Sequence, residues 1–505
     1  MIRKASVTVL AVVIVAGVAL ALYARSVLAS ENVRATLESQ LTSYFGQPVR
    51  IGAAGASIFP RVALRLSDVA IGSPPTVIVE QVSISTGLRG LFSRRIEDAA
   101  VALANGRVVL PAALRLGNAS DEASAPTAAV VTIASVRTIS LSNVEFIAGK
   151  TAMRFDMQSA LTGDRLDVSQ LSATSERTQL EATGALTSVS RMQGGFSVNA
   201  DPLDLDELLA LGSGFSSPLE AQGAIDPPAS GATMRLEATI KAPHGRFAGY
   251  DFSSCAATLE ATPGRVAMPT LTFQVFGGHF TGSLNLDATT APPQLQLRGN
   301  AGGIDVAQLA ASAGTPGSIT GRLAATVAVS AAGDDAQALL RSARGTADTA
   351  ITDGSIPGLE MVRTIVLAFG KPSGAPLPGM GSAFQRLAGL FSIQSGVLRS
   401  DDLRFASRDF DMGGKASMIV ESGAIDARTD VVLSRELSAQ AGTDLRRYAE
   451  QEGRVIVPAH VTGTLNEPLI SFDLAAASRR ALENELQRRA KSLLGDLFRR
   501  KKGGG

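Results

Sequence analysis

The 505-residue chain has no tryptophan, four tyrosines, three histidines and one cysteine. A single cysteine excludes an intramolecular disulfide and any multi-cysteine metal site. Cys255 is flanked by Phe252 and by Ala256 to Leu259, a strand-like context in which a thiol acts as a small hydrophobe. His244, His279 and His460 lie far apart, and none has a His, Cys or carboxylate neighbour at metal-ligand spacing. An excess of charge of one sign is missing too. Lys plus Arg number 47 against 46 Asp plus Glu, a net charge of +1, so no global field favours nucleic acid.

Catalytic signatures are equally scarce. Gly149-Lys150-Thr151 imitates the end of a phosphate-binding loop, but Val144 stands where the upstream glycine is required, so the backbone cradle is incomplete. No Gly-x-Ser-x-Gly elbow and no strand-linked Gly-x-Gly-x-x-Gly occurs. The acidic pairs Asp334-Asp335 and Asp401-Asp402 sit in turn-like contexts where capping explains them. The chain therefore reads as a non-enzyme that needs no cofactor and no metal.

What is abundant is small and aliphatic. Hydrophobic residues make 45% of the chain, mean hydropathy is +0.18 and there are 50 glycines. That mix suits many β-strands joined by glycine-containing turns, with apolar surface beyond an ordinary core. Arg3 and Lys4 precede an uncharged run, and Ala5 to Ala24 is long enough as a helix to cross the roughly 30 Å hydrocarbon layer. This predicts an uncleaved single-pass anchor with the basic end in the cytoplasm and the bulk of the chain beyond the membrane. Cleavage before Ser30 is the alternative.

Past an amphipathic stretch, Glu31 to Phe45, the pattern becomes one of short alternating segments. Val62, Leu64 and Leu66 alternate with Ala63, Arg65 and Ser67, and Val82 and Ile84 with Ser83 and Ser85. The same period runs through Met234, Leu236, Ala238 and Ile240, through Phe280, Gly282, Leu284 and Leu286, and through Val431 and Leu433. Antiparallel sheet with one apolar face follows. Three Gly-Arg-Val-x-x-Pro cassettes, at 106–111, 264–269 and 453–458, are turn-like and hint at a repeated strand unit.

Loops or linkers are expected at 117–129, 212–232 and 370–382, and helical interruptions at 203–211, 305–311, 334–342, 359–369 and 435–452. The segment 475–502 reads as a helix with a leucine stripe and a basic face carrying Arg479, Arg480, Arg488, Arg489, Lys491, Arg499 and Arg500. Anionic lipid headgroups or an acidic partner would suit that face, and a solvated end-cap helix is the alternative. The parts are thus an anchor over 1–29, a β region over 30–116, a linker over 117–129, a central β region over 130–315, a second terminal β region over 316–474 and a basic tail over 475–505.

Gly46 to Ile51, Phe59-Pro60 and Val62 to Val69, followed by Val82 to Thr86, Leu88 to Phe92, Ile96 to Asp98 and Val101 to Leu103, resemble the opening of AsmA-family proteins. Gly321 to Leu323, Leu339 to Gly345, Asp353 to Leu359, Phe391 to Leu398 and Val461 to Pro468 are similar to that family's C-terminal region, in family order. The resemblance implies a mainly β protein: an elongated, repeating antiparallel sheet curled into a groove with an apolar inner face, flanked by short helices. It also implies a bacterial inner-membrane protein whose bulk lies in the periplasm and which takes part in moving glycerophospholipids between inner and outer membranes. Groove candidates are then Val62, Leu64, Leu66, Val82, Ile84, Leu236, Ile240, Phe280, Leu284, Leu286, Val431 and Leu433. The alternative is an assembly factor that binds outer-membrane or other envelope proteins through sheet edges or its helix.

Overall fold

The computed structural model describes residues 31–57, 62–86, 95–96, 98–110, 132–133, 135–216, 234–312, 314–333, 336–356, 382–443, 446, 449–464, 467–473 and 479. The expected anchor, the linker at 117–129, the helix at 359–369 and all of the basic tail except Arg479 lie outside these residues. No described helix is long and apolar enough to cross a membrane. The chain is mainly β and divides into two compact units, residues 1–263 and 264–505.

In the first unit, helix α1 (Glu31–Phe45) precedes strands β1 (Val49–Ser57), β2 (Val62–Ile71), β3 (Val77–Thr86), β4 (Arg95–Ile96) and β5 (Ala99–Leu110). Then come β6 (Thr132–Ile133), β7 (Val136–Ala148), β8 (Thr151–Thr162), β9 (Arg165–Thr174), β10 (Gln179–Ser188) and β11 (Gln193–Ala200). After β12 (Leu203–Asp204) and helix α2 (Leu205–Ser216), the unit ends with β13 (Arg235–Phe247) and β14 (Tyr250–Thr262). The main ladder runs β1-β2-β3-β5-β7-β8-β9-β10-β11-β13-β14, antiparallel except at β5–β7 and β11–β13. Among the described residues its two end strands do not meet, so the sheet stays open.

The alternation in this unit changes phase in the middle of its strands. Val77 and Val79 face inward on β3, but so do Val82 and Ile84; on β7, Ile139 and Leu141 are followed inward by Val144 and Phe146. Two consecutive outward residues sit at each change, and the ladder skips a pair there from β1 to β7: Gly52 beside Asp68, Glu80 beside Asn105, Asn105 beside Asn143. Asp68, Asn105 and Asn143 take left-handed backbone, with φ of 53°, 55° and 56°. Asp and Asn tolerate that region best among non-glycine residues. Asn105 Nδ2 donates to Glu80 Oε2 and Asn143 Nδ2 to Asn105 Oδ1, both at 2.8 Å, so the break is tied laterally from strand to strand. A one-residue slip in a strand would turn its apolar set outward. Here neighbouring strands slip together, and one face stays apolar on both sides of the break.

The second unit is a plain antiparallel meander: β15 (Arg265–Val275), β16 (Gly278–Asp287), β17 (Gln294–Asp305), β18 (Thr320–Ala332), β19 (Arg344–Ile356), β20 (Ser382–Gln394), β21 (Val397–Ala406), β22 (Phe410–Ile419) and β23 (Ile425–Leu433). It continues through β24 (Glu450–Gln451), β25 (Arg454–Gly463) and β26 (Pro468–Phe472). Helices α3 (Val306–Ser312), α4 (Ala336–Ser342) and α5 (Arg435–Gln440) are inserted between strands. The core gathers Val306, Ala310, Phe384, Phe405, Phe410, Val431, Leu433, Val455 and Val457. Phe405 stacks on Phe410 at 5.2 Å and meets Phe384 at 5.3 Å.

Several expectations need correction. The helix at 435–452 is interrupted rather than continuous: Ser434 caps its start by accepting from Leu437 N at 3.2 Å, α5 ends at Gln440 with Ala441 extended, Thr443, Arg446 and Ala449 are helical again with Arg446 N donating to the Gly442 carbonyl at 3.0 Å, and Glu450–Gln451 pair as strand. The helix expected from Leu203 starts at Leu205, because Leu203 and Asp204 pair in parallel with β13, and it runs through Gly212 to Ser216, which had read as linker. Ser382 belongs to β20 rather than to a loop. The three cassettes are not one unit. Gly264 and Gly453 hold left-handed turns before strands, whereas Gly106 lies inside β5, where an added Cβ would meet the Val144 side chain at 3.1 Å.

Candidate functional site

The strongest candidate is the apolar face of β16–β20 in the second unit. Successive residues of a strand point to opposite faces, so cross-strand register decides which side chains share a row. Leu286 lies opposite Val266 and Leu295, Leu284 opposite Met268 and Leu297, and Leu297 in turn opposite Val329. Gly282 faces Gly299, which faces Val327, then Ala347, then Phe391. Ile304 faces Leu323, then Ile351, then Leu387. The alternate residues, Thr281, Ser283, Asn285, Gln296 and Arg298, put polar groups on the other face.

One end of this face is filled and the other is not. Ile351, Leu323 and Leu387 pack against the core, where α3 contributes Val306 and Ala310. Leu284, Leu295, Leu297, Val327 and Val329 are only half-buried and belong to no core cluster, and Leu286 is 36% exposed. Phe280 is nearly covered and stacks on Phe273, ring centroids 5.1 Å apart. Its ring lies low because glycine stands beneath it: a Cβ at Gly299 would come within 2.5 Å of Phe280 Cζ, and one at Gly282 within 2.8 Å. Close approach of this kind needs a residue without a side chain.

The other sequence candidates fall into three settings. Leu64 and Leu66 on β2 face Ile84 and Val82 on β3, and Leu66, Leu64 and Val82 join the first unit's core cluster. Val62 pairs with Thr86, while its side chain lies outside the described set. Leu236 and Ile240 on β13 are half-buried, beside Gly194 and Val198 of β11. Val431 and Leu433 are 0% and 2% exposed in the packed core of the second unit, so no surface of theirs is open to a ligand. Of the basic candidates only Arg479 is described, and it is exposed. Leu295, Leu297, Val327 and Val329 were missed by sequence reading, although their period-two spacing carries the same signal as Leu284 and Leu286.

Polar chemistry lies elsewhere. His244 Nδ1 meets Asp201 Oδ1 at 3.0 Å and His460 Nε2 meets Asp426 Oδ1 at 2.7 Å, two separate surface pairs. Hydrogen bonds from Ser188 and Ser190 hold the Asp164 carboxyl down at about 2, and burial pushes the Cys255 thiol up. At the start of α2, Arg177 pairs with Asp204 at 3.1 Å and Glu207 at 3.4 Å, while Thr178 Oγ1 donates to Glu207 Oε2 at 2.9 Å. This network fixes α2 on the β9–β10 turn, with Leu208 and Leu211 against Met153 and Leu110. Among the described residues no group of three or more His, Cys, Asp or Glu side chains is placed to hold a metal.

Comparison with known proteins matches the model of the AsmA family over residues 245–403, a span that includes β16–β20. Protein AsmA of Escherichia coli (strain K12) is 21% identical over 346 residues, 64% of this chain and 55% of that relative. The chain thus spans about half the length of the curated relative it matches. No solved structure matches it. The family match and the curated relative agree, and the chain is AsmA-like.

Proposed function

We propose that this protein carries phospholipid acyl chains along the open apolar face of its sheet, as part of inter-membrane lipid transport and envelope homeostasis in the periplasm. The AsmA family is a bacterial envelope family, and the likeness supports an envelope-related role. The observation that carries the finer reading is the half-buried row Leu284, Leu297 and Val329, with Leu286 and Leu295 beside it. These are aliphatic side chains in register across three strands, outside every packed core cluster. An acyl chain needs no hydrogen bonds and gains about 0.8 kcal/mol per CH₂ withdrawn from water. A β16–β18 surface without a charged side chain on that face is matched to it. The N-terminal apolar run would hold the chain at the inner membrane, and any direction of transport must come from partners or lipid gradients.

The test is lipid retention. Full-length protein purified gently from cells is assayed by native mass spectrometry for bound phospholipid. Leu284→Asp with Leu297→Asp should lower the lipid-bound fraction at least about tenfold, the scale of 1.4 kcal/mol, whereas Ser283→Asp on the opposite face should leave it unchanged. Equal retention in folded proteins of both kinds would refute the reading.

A further inference from the structure

Strand β1 ends the first unit's ladder, with β2 as its one ladder partner among the described residues. A terminal strand presents a row of backbone donors and acceptors that can template a further strand, and folded proteins shield such edges. Here the shielding comes from α1. Val49 N donates to Thr42 Oγ1 at 2.9 Å, Ile51 N donates to Glu38 Oε1 at 2.7 Å, and Arg34 Nη1 donates to the Gly52 carbonyl at 3.4 Å. Val49 and Ile51 are two apart, so both amides face the same way, out of the sheet. Thr42, Glu38 and Arg34 are each four apart, one face of a helix. The helix lies antiparallel to the strand, its side chains standing in for the backbone of a neighbouring strand. Leu37 and Leu41 pack on the core below and fix it there.

The shielded segment is itself prone to pair. Val49 to Ser57, VRIGAAGAS, carries one charge, no proline and two β-branched apolar residues at its start. Low charge, absence of proline and strand propensity together mark a sequence that adds to its own kind. We propose that α1 is an edge guard: Thr42, Glu38 and Arg34 occupy the pairing groups of β1 and keep a second copy of this chain from adding its own β1 there. The interaction surface is the covered edge of β1 and its partner is the same edge of another copy. This is independent of what the apolar face carries.

The experiment compares the full chain in detergent with a Glu38→Ala, Thr42→Val double variant, reading amide hydrogen exchange at Val49 and Ile51 and molar mass by light scattering. Exchange at both amides should rise at least about tenfold, as expected for loss of a local protecting contact, and a dimeric species should grow with protein concentration beyond that of the parent. A Glu38→Gln, Thr42→Ser variant keeps both acceptors and should behave as the parent. Should the double variant fail to fold, Thr42→Val alone exposes the Val49 amide and is read in the same way. Unchanged exchange, faster exchange with the parent's mass distribution, or association by the acceptor-preserving variant would each overturn the proposal.

Discussion

Replacing Phe405 by alanine separates the filled end of the second unit from its open face. Phe405 is 2% exposed, lies on β21 opposite Leu387, stacks on Phe410 at 5.2 Å with planes 10° apart, and meets Phe384 at 5.3 Å. Truncating a fully buried phenylalanine costs about 3–5 kcal/mol, in which the two ring contacts account for roughly 0.5–1.5 each. Leu286, 36% exposed, has no packed cavity to leave behind, and its truncation to alanine should cost under about 1 kcal/mol. For a domain of this unit's size each kcal/mol moves the transition by roughly 2–4 °C, so Phe405→Ala should lower it by about 6–20 °C and Leu286→Ala by no more than about 4 °C. Differential scanning calorimetry of the full chain, following the transition that Phe405→Ala shifts, makes the comparison. Equal shifts would mean that the face around Leu286 is packed like the core, and the case for an open apolar surface would fail with it.

Removing Glu207, a 7% exposed carboxylate held by Thr178, Ser175 and Arg177, takes the shorter of two acceptors from the Thr178 hydroxyl and leaves it the Asp204 carbonyl at 3.5 Å; Glu207→Ala should destabilise the first unit by about 1–3 kcal/mol in urea unfolding. Asp164 supplies a pH signature. Its carboxyl sits at about 2 when folded against an ordinary 3.8, first through the Ser188 hydroxyl and then through Ser190, so its contribution is complete above 3.8 and is lost as pH falls towards 2. Asp164→Asn should therefore flatten the stability profile in that interval and leave its shape at neutral pH unchanged, which acid titration by circular dichroism reads directly. Asn143→Ala removes both the donor to Asn105 and a residue suited to left-handed backbone, and should cost about 1–2 kcal/mol, with Asn143→Gly recovering part of it. If the glycine variant is the worse of the two, backbone conformation is not what Asn143 supplies.

Much of the sheet was legible because period-two alternation is a local signal. Leu64 and Leu66, or Leu284 and Leu286, announce a strand and a face without knowledge of any partner. The change of phase at Asp68, Asn105 and Asn143 was not read, since each alone resembles an ordinary loop residue and only the register shows that the three lie in one row across the strands, with Glu80 between Asp68 and Asn105. A trace was present: Leu66 to Val69 and Leu141 to Val144 are spaced by three, with an Asp or Asn just before the second apolar residue. Val431 and Leu433 show the opposite limit. Their alternation matches that of Leu284 and Leu286, but α3, through Val306 and Ala310, and α5, through Leu437, pack into the same core, and no periodicity within β23 could say so. The helical reading of 435–452 ran across a break, because residues with helix propensity stand on both sides of the extended Ala441 and nothing in them marks the interruption before helix resumes at Thr443, Arg446 and Ala449.

The two parallel pairings, β5 with β7 and β11 with β13, bear on how the chain is assembled as it is made. A hairpin closes between residues that leave the ribosome moments apart, so the second unit can grow by adding each new strand to the last. A parallel neighbour cannot be reached by a tight turn. After Leu110 the chain must return along the length of its strand before Val136 can pair, and after Ala200 it must lay down α2 before Arg235 can. At those two moments the growing edges of β5 and β11 stand open. The first unit is consequently the slower to complete and the one that calls for protection during synthesis, although its stretch of chain is made first.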